Sequence, residues 1–422
     1  MPIFRHSPPP AAGTVGDATG RTLLAERTFM NVLEHASPTG HRPAGADRPP
    51  ARPRTRPQAR PARPPRVLVI TGSVGAGHNG AARELVHRLR ALGVDTAYRD
   101  YLDALPRRHQ RLLQDGYAFS AGRAPAVFEW LFRSEERDSV VRALTMRLCR
   151  LACEELARWA GEGYDAVVTT FPFAAQSLGM LRQQGVLTAP VVSYLTDPAP
   201  HRLWVHPHVD LHLTATAATA EEGAERYGVP MSPAGPLAPA AFAAPVDPLR
   251  RQALRAELGV PPEHRMALLS TGSLGLGDVT AGVRALAALD GTVPVVLCGR
   301  NERLRRRITR LPGVVALGWR EDVPALMAAA DVLVHNAGGL SLTEALVAGL
   351  PAVSYQVISG HGRANAATLA RAGIAPWPQH PVELAEALER QAARGRVHLP
   401  ELPEHRQAAS VVAALARARQ VA

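Results

Sequence analysis

Three polar side chains in this sequence fall where an α/β protein carries out chemistry. His78 ends a glycine loop, TGSVGAG at 71–77, and stands at the start of a helix. There an imidazole can act as a base or hold a ligand by hydrogen bonds. Asp197 follows the apolar run that ends at Thr196. An aspartate at the carboxyl end of a parallel strand faces the ligand crevice, so it either orients His78 or is itself the base. Glu344 follows the turn Gly338-Gly339-Leu340-Ser341, which is expected to have Ser341 as N-cap and to leave Glu344 in the first helical turn. Adjacent glycines before a helix N-terminus leave N–H groups free for a diphosphate. A carboxylate in that turn accepts from both hydroxyls of a ribose, unless it only complements the helix dipole.

Strands and helices must hold these residues, and the 422-residue chain supplies the same arrangement twice. Residues 67–70 form a short apolar, β-branched run, the pattern of a buried parallel strand. The run leads through the glycine loop into an expected helix at 81–92. Residues 267–270 repeat it, and their loop TGSLGLG (271–277) matches the first at five of seven positions, 200 residues later. Taken singly, either loop reads equally well as a tight strand-to-helix turn. Further strand runs lie at 166–170, 191–195 and 211–214, then at 293–298, 314–317, 331–335 and 352–355. Helical stretches lie between them, among them 323–330 and 342–348. This βαβα order predicts an α/β protein with two doubly wound parallel sheets and a ligand in the cleft at their carboxyl ends.

Composition excludes several chemistries. All 48 basic residues are Arg and there is no Lys, so a Lys Schiff base, a Walker A lysine and a kinase-type strand lysine are all ruled out. Cys149, Cys153 and Cys298 are too few for a disulfide framework and suit a reducing compartment. The formal net charge is +11, but residues 1–65 alone carry 10 Arg against 4 acids, with 13 of the 37 prolines. Such proline density holds neither a helix nor a ladder. The segment reads as a disordered, solvated basic tail, and no nucleic-acid partner is expected. The start lacks the apolar core of a signal peptide, and the longest uncharged run, 227–246, contains five prolines. Any membrane contact is therefore expected to be peripheral.

Two clusters remain. His201, His206 and His208 stand as H-x4-H-x-H in a proline-rich loop, a weak pattern for a metal, and no metal site is expected. The segment 105–137 interleaves arginines with Tyr117, Phe119, Phe128, Trp130 and Phe132, five of the 20 aromatic residues within sixteen positions. Aromatic and basic residues together suit a bilayer interface. The alternative is an amphipathic helical insert whose aromatics pack on the domain.

The stretch GWREDVPALMAAADVLVHNAGGLSLTEALVAGLP (318–351) resembles the donor-binding half of GT-B glycosyltransferases. TGSVGAGHNGAA, DPAPHRLWVHPHVD and CGRNERL narrow the likeness. The chain resembles the monogalactosyldiacylglycerol synthase and processive diacylglycerol glucosyltransferase group, cousins of the enzyme that adds N-acetylglucosamine to lipid I. The resemblance spans roughly 66–377. It implies a GT-B fold of two Rossmann-like domains facing a cleft. The expected order is the tail at 1–65, an acceptor domain at 66–235, a linker at 236–248, a nucleotide-sugar domain at 249–394, and a helix at 395–422 returning to the first domain.

The same resemblance implies metal-independent, inverting transfer of a hexose from a UDP-sugar to diacylglycerol or a related membrane lipid. No cofactor is implied beyond the UDP-sugar donor. An anionic membrane surface is the implied partner, at the cytoplasmic face of the plasma membrane. His78 and Asp197 take the catalytic positions. Gly272, Ser273, Arg300, Gly318, Trp319, Val323, Gly338, Gly339, Leu340, Ser341, Glu344, His361 and Asn365 take the donor positions, with Arg300 reaching phosphate oxygens. Gly75, Gly77, Tyr117, Phe119, Phe128, Trp130, Phe132, His201 and Trp204 take the acceptor and membrane positions. One departure stands out. Where the family has a Gly-Gln-Glu-Glu-x-x-Asn-type segment, this chain has Gly360-His361-Gly362-Arg363-Ala364-Asn365, which leaves the donor sugar open. Two other readings keep the fold: transfer to a soluble natural product, and UDP-sugar 2-epimerisation. The aromatic and basic segment speaks against the first, the TGSVGAGH loop and the Trp204 segment against the second.

Overall fold

A computed structural model describes residues 63–272 and 277–421. The expected tail lies outside the described residues up to position 62, and Ser273 lies outside them as well. The first half contains β1 (Arg66–Thr71), α1 (Ala76–Ala91), β2 (Asp95–Asp100), α2 (Arg107–Arg123), α3 (Pro125–Glu135), α4 (Val140–Ala160), β3 (Ala166–Thr169), α5 (Pro172–Gln183), β4 (Val191–Leu195), β5 (Leu211–Thr214), α6 (Ala217–Tyr227) and β6 (Met231–Pro233). The second contains α7 (Pro248–Glu257), β7 (Arg265–Ser270), α8 (Val279–Ala287), β8 (Thr292–Leu297), α9 (Glu302–Ile308), β9 (Val315–Leu317), α10 (Val323–Ala329), β10 (Val332–His335), α11 (Gly339–Ala348), β11 (Ala352–Ser354), α12 (His361–Arg371), α13 (Pro381–Arg394) and α14 (Ala408–Val421).

The two sheets are parallel throughout, as the βαβα order predicts. Their strand orders are β2-β1-β3-β4-β5-β6 and β11-β10-β7-β8-β9. Helices cover both faces, which is why the central strands read as unbroken apolar runs rather than alternating ones. In β1, Val67 and Val69 face a core shared with Leu85 and Leu89 of α1 and Val412 and Ala416 of α14. Leu68 and Ile70 face the opposite core, with Leu156 of α4 and Leu178 of α5. Helix α14 thus belongs to the first core, and Gln420 fastens it by donating to Asp165 Oδ2 at 2.9 Å.

Each sheet reverses its winding at one point. The chain leaves β1 for β2 on one side and returns to β3 on the other; β7 likewise lies between β8 and β10. Ligands in such sheets bind outside the carboxyl ends at these reversals. The segments after β1, β3, β7 and β10 hold His78, Thr170, Gly272 and Gly338.

The structure departs from the sequence reading at two helix starts. Helix α1 begins at Ala76, so Gly77 and His78 lie in its first turn rather than before it. Helix α11 begins at Gly339 with Gly338 as its cap, three residues before the expected start. Ser341 is therefore not the N-cap: its hydroxyl is hydrogen-bonded to the Ser270 hydroxyl at 2.7 Å. Glu344 consequently sits in the second turn, and no acidic residue occupies the first. The cause is steric. A Cβ added to Gly339 would meet the Thr196 carbonyl oxygen at 2.8 Å, so only a glycine lets the helix begin this close to β4.

Candidate functional site

The carboxyl ends of the two sheets meet at His78. Its Nδ1 lies 2.8 Å from the Thr170 carbonyl oxygen and 3.0 Å from Thr196 Oγ1. A carbonyl oxygen only accepts, so Nδ1 carries the proton and donates it. The neutral ring then has its lone pair on Nε2, to which no group among the described residues donates. Burial holds the His78 pKa below the ordinary histidine value, with the nearby Asp197 charge opposing. The ring lies edge-on to Phe171, with centroids 5.2 Å apart, and 5.8 Å from the Trp204 ring. Phe171 in turn requires Gly72, since a Cβ there would meet the Phe171 ring at 2.4 Å. The glycine loop is therefore shaped around the aromatic that flanks His78. Gly75, its N-cap, has open space around it, and Gly77 faces Leu340 of the other half.

Asp197 is held from both halves. Trp204 Nε1 donates to its Oδ2 at 3.0 Å, and Asn365 Nδ2 lies 3.5 Å from its Oδ1. Trp204 is 1 % exposed; it is a buried support for Asp197 rather than an open acceptor wall. Asn365, expected among the donor ligands, spends its amide within the fold. Its Oδ1 accepts from Ala199 N at 2.9 Å and its Nδ2 donates to Ala337 O at 3.1 Å. That second bond fixes the turn before α11, where Ala337 takes a left-handed φ of 67°. An alanine held there is a strained residue at a functional turn. His335 adds a second clamp, its Nδ1 accepting from Ala337 N at 3.1 Å.

In the second half, Gly338 caps α11 and Gly339 is its first residue, with no side-chain cap, so first-turn N–H groups there lack a partner within the helix. Leu340 points across to Gly80, where an added Cβ would meet it at 2.8 Å; its side chain joins the two halves. Glu344 makes no hydrogen bond or ion pair among the described residues, and burial pushes its carboxyl up to about 7. Arg300 stacks on Trp319, its Cζ 4.5 Å from the ring centroid, and the ring is 59 % exposed. The pair forms a flat cationic platform after β8 and β9. Gly318 precedes that platform, and a Cβ there would sit at ordinary contact distance from Arg305 and the Gly299 carbonyl oxygen. Val323 is the first residue of α10 and packs on the core of the second half that holds Leu268 and Leu333. Gly272 leaves β7 with a φ of 70°.

The aromatic segment forms α2 and α3, and it divides in two. Phe119 and Trp130 are 58 % and 59 % exposed, beside exposed Leu112 and Val127. Tyr117 and Phe128 turn inward against His361, with centroids 6.1 and 5.6 Å away. Phe132 stacks on His201 at 4.3 Å. The five rings expected at acceptor or membrane positions thus divide between the two faces of the helix pair: two are exposed and three pack inward, as the alternative of aromatics packed on the domain has it. His201 is also committed within the fold. Its Nδ1 accepts from Leu203 N, and its Nε2 lies 3.1 Å from Glu136. Among the described residues no group of His, Cys, Asp and Glu is arranged to hold a metal.

Sequence reasoning missed Thr170, Thr196 and Glu129. The two threonines end strands beside His78, and the rule that chemistry collects at carboxyl ends of parallel strands pointed to them. Glu129 carried no such signal. It reaches from α3 to accept from Gly360 N at 2.6 Å, capping α12 across a sequence separation of 231 residues. The Gly339 contact yields a prediction. Gly339→Ala is expected to push α11 away from Thr196 at a cost of about 1–3 kcal/mol, lowering both the melting temperature and turnover. A thermal melt and steady-state rates that both match the unaltered protein would show that this contact does not join the halves.

Comparison with known proteins places this geometry. Residues 78–237 match the family model "Monogalactosyldiacylglycerol (MGDG) synthase", and residues 273–418 match "Glycosyl transferases group 1". A processive diacylglycerol beta-glucosyltransferase of Bacillus cereus is 24% identical over 325 residues, covering 74% of this chain and 81% of its own. The Bacillus subtilis protein of the same description is 24% identical over 322 residues, covering 71% and 80%. Among solved structures, spinosyn rhamnosyltransferase SpnG has a TM-score of 0.53 at 14% identity, covering 84% of this chain and 95% of its own. The same protein complexed with thymidine diphosphate has a TM-score of 0.52.

Proposed function

We propose that this chain, which matches a monogalactosyldiacylglycerol synthase model over residues 78–237 and a group 1 glycosyltransferase model over residues 273–418, is a glycosyltransferase that moves a hexose from a UDP-sugar to diacylglycerol or a closely related membrane lipid. The observation that carries the mechanism is the fixed tautomer of His78. Thr170 holds the proton on Nδ1, which leaves Nε2 as the base for the acceptor hydroxyl. The acceptor oxygen bonds to the anomeric carbon as the bond from that carbon to the β-phosphate oxygen breaks. The hydroxyl proton passes to Nε2, and the electron pair of the broken bond leaves with UDP. One displacement on one face inverts the anomeric centre. The α11 N-terminus takes the developing diphosphate charge, so the step as drawn calls for no metal. Glu344 holds the ribose hydroxyls, and the Arg300–Trp319 platform takes the base.

The lipid acceptor follows from the relatives' printed activity and from the exposed face of α2 and α3. Leu112, Phe119, Val127 and Trp130 offer an apolar patch suited to shallow insertion. No helix among the described residues is long and apolar enough to cross a membrane. We assign the protein to the cytoplasmic face of the plasma membrane, docked through this patch on an anionic surface. The test is UDP release from a panel of UDP-sugars, with and without diacylglycerol in anionic mixed micelles. Acceptor-dependent release with one sugar is expected, and it names the donor that the Gly360–Asn365 segment leaves open. Nucleotide binding without lipid-dependent release would overturn the lipid acceptor.

A further inference from the structure

A cavity in the first half lies away from the site, behind the loop that carries Trp204. It measures about 570 Å³ and lies between α4, α5 and the 202–207 segment. Arg142, Met146 and Arg150 line it from one face of α4 at spacings of four residues, with Met180 of α5 and Arg202 and Val205 of the loop opposite. No acidic side chain lines it. The arginines are poorly neutralised. Arg142 is half-buried and lies 3.5 Å from the Glu135 carbonyl oxygen. Arg150 makes no ion pair among the described residues. Arg202 pairs with Asp138 at 2.9 Å, but that carboxylate is 89% exposed and screened by water. The carboxylate of Glu136 is already shared by Arg226, His201 and Tyr227. Of the remaining titratable groups in the wall, His206 is held neutral by burial, at about 4, and burial keeps the Tyr227 phenol protonated.

Arg142 and Arg150 have no ion pair among the described residues, and Arg202 pairs only with the exposed Asp138, around an apolar floor of methionine and valine. Planar guanidinium forks are matched by the oxygens of a phosphate. We propose that this cavity binds a phosphate-bearing ligand, with the phosphate on Arg142, Arg150 and Arg202 and an apolar or glycerol portion against Met146, Met180 and Val205. The site is distinct from the donor cleft and stands whether or not the lipid acceptor is correct. It has a physical link to catalysis. Gln176, in the same wall, donates to the carbonyl oxygens of Leu203 and Val205, each at 2.9 Å. A ligand here therefore braces the loop whose Trp204 supports Asp197, which makes the cavity an effector site.

The test is binding of sn-glycerol 3-phosphate and inorganic phosphate to the full chain by calorimetry, and of phosphatidylcholine vesicles with and without phosphatidylserine by flotation. The Arg142→Gln/Arg150→Gln variant is compared with the unaltered protein. Saturable binding that weakens at least about tenfold in the variant supports the proposal. Loss of the free phosphates assigns a soluble ligand, and loss of vesicle binding alone assigns a lipid headgroup. If the double variant fails to fold, the exposed single change Arg150→Glu serves in its place. Binding unchanged in these variants, or no saturable binding of any probe, overturns the proposal.

Discussion

Replacing His78 with alanine is expected to cut turnover by about a hundred- to ten-thousandfold while the protein still folds. The ring is half-buried beside Phe171 and Trp204, so its loss leaves a modest gap, whereas the base disappears entirely. The pH profile tests the role beyond the rate. Burial keeps the His78 pKa below the ordinary histidine value, and the Asp197 charge only partly opposes it. Only neutral imidazole accepts a proton. Turnover should therefore fall as pH drops through that lowered pKa and stay level above it, with the inflection below about 6.5. His78→Ala should lose that limb along with the rate. Asp197→Asn separates the two candidates. Asp197 touches Trp204 and Asn365, one from each half, so its neutral amide should lower the rate yet keep an acid limb, shifted further down because the stabilising charge is gone. Wild-type turnover in His78→Ala would transfer the base to Asp197.

The central strands of both sheets were legible because burial on two faces leaves a continuous apolar signal, as in 67–70 and 267–270. β2 was not, because Asp95–Asp100 is a half-exposed edge strand without an apolar run. Its place is set by six-residue pairing with β1, a property of the partner rather than of its own pattern. Glycine-rich helix starts were read too late for a related reason. Glycine lowers the local helix signal, while the reason for glycine at 72 and 339 lies in Phe171 and Thr196, neither adjacent in sequence. The same distance hid the double nature of α2 and α3. Composition showed aromatic rings among arginines, and only the fold could show that Tyr117 and Phe128 face His361. The residue types of the site were visible in the sequence; which polar atoms remain unspent was not. Asn365 and His201 have theirs occupied, and His78 keeps one nitrogen available.

Glu344 gives the second large effect, and its two consequences have opposite signs. Its carboxyl is pushed up to about 7 by burial, against about 4.3 in an unfolded chain. Between those values the folded protein holds a proton that the unfolded chain has released. The linkage relation then makes stability fall as pH rises through this window. Glu344→Gln never ionises, so without ligand it should melt higher than the unaltered protein at about pH 8, and the two should converge near pH 4, where both side chains are neutral. Donor binding should move the other way. Two ribose hydroxyls donate to an ionised carboxylate, and charge-assisted bonds of this kind are worth about 1.5–3 kcal/mol each. The KM for the UDP-sugar should therefore fall as pH rises through about 7 in the unaltered protein. It should rise tenfold or more and lose that pH dependence in Glu344→Gln. A carboxylate that served only the fold would give neither the gain in stability nor the loss of donor affinity. Thermal melts at both pH values and KM measured across the range distinguish the cases, and a variant that is less stable at pH 8 with unchanged KM would remove Glu344 from the donor site.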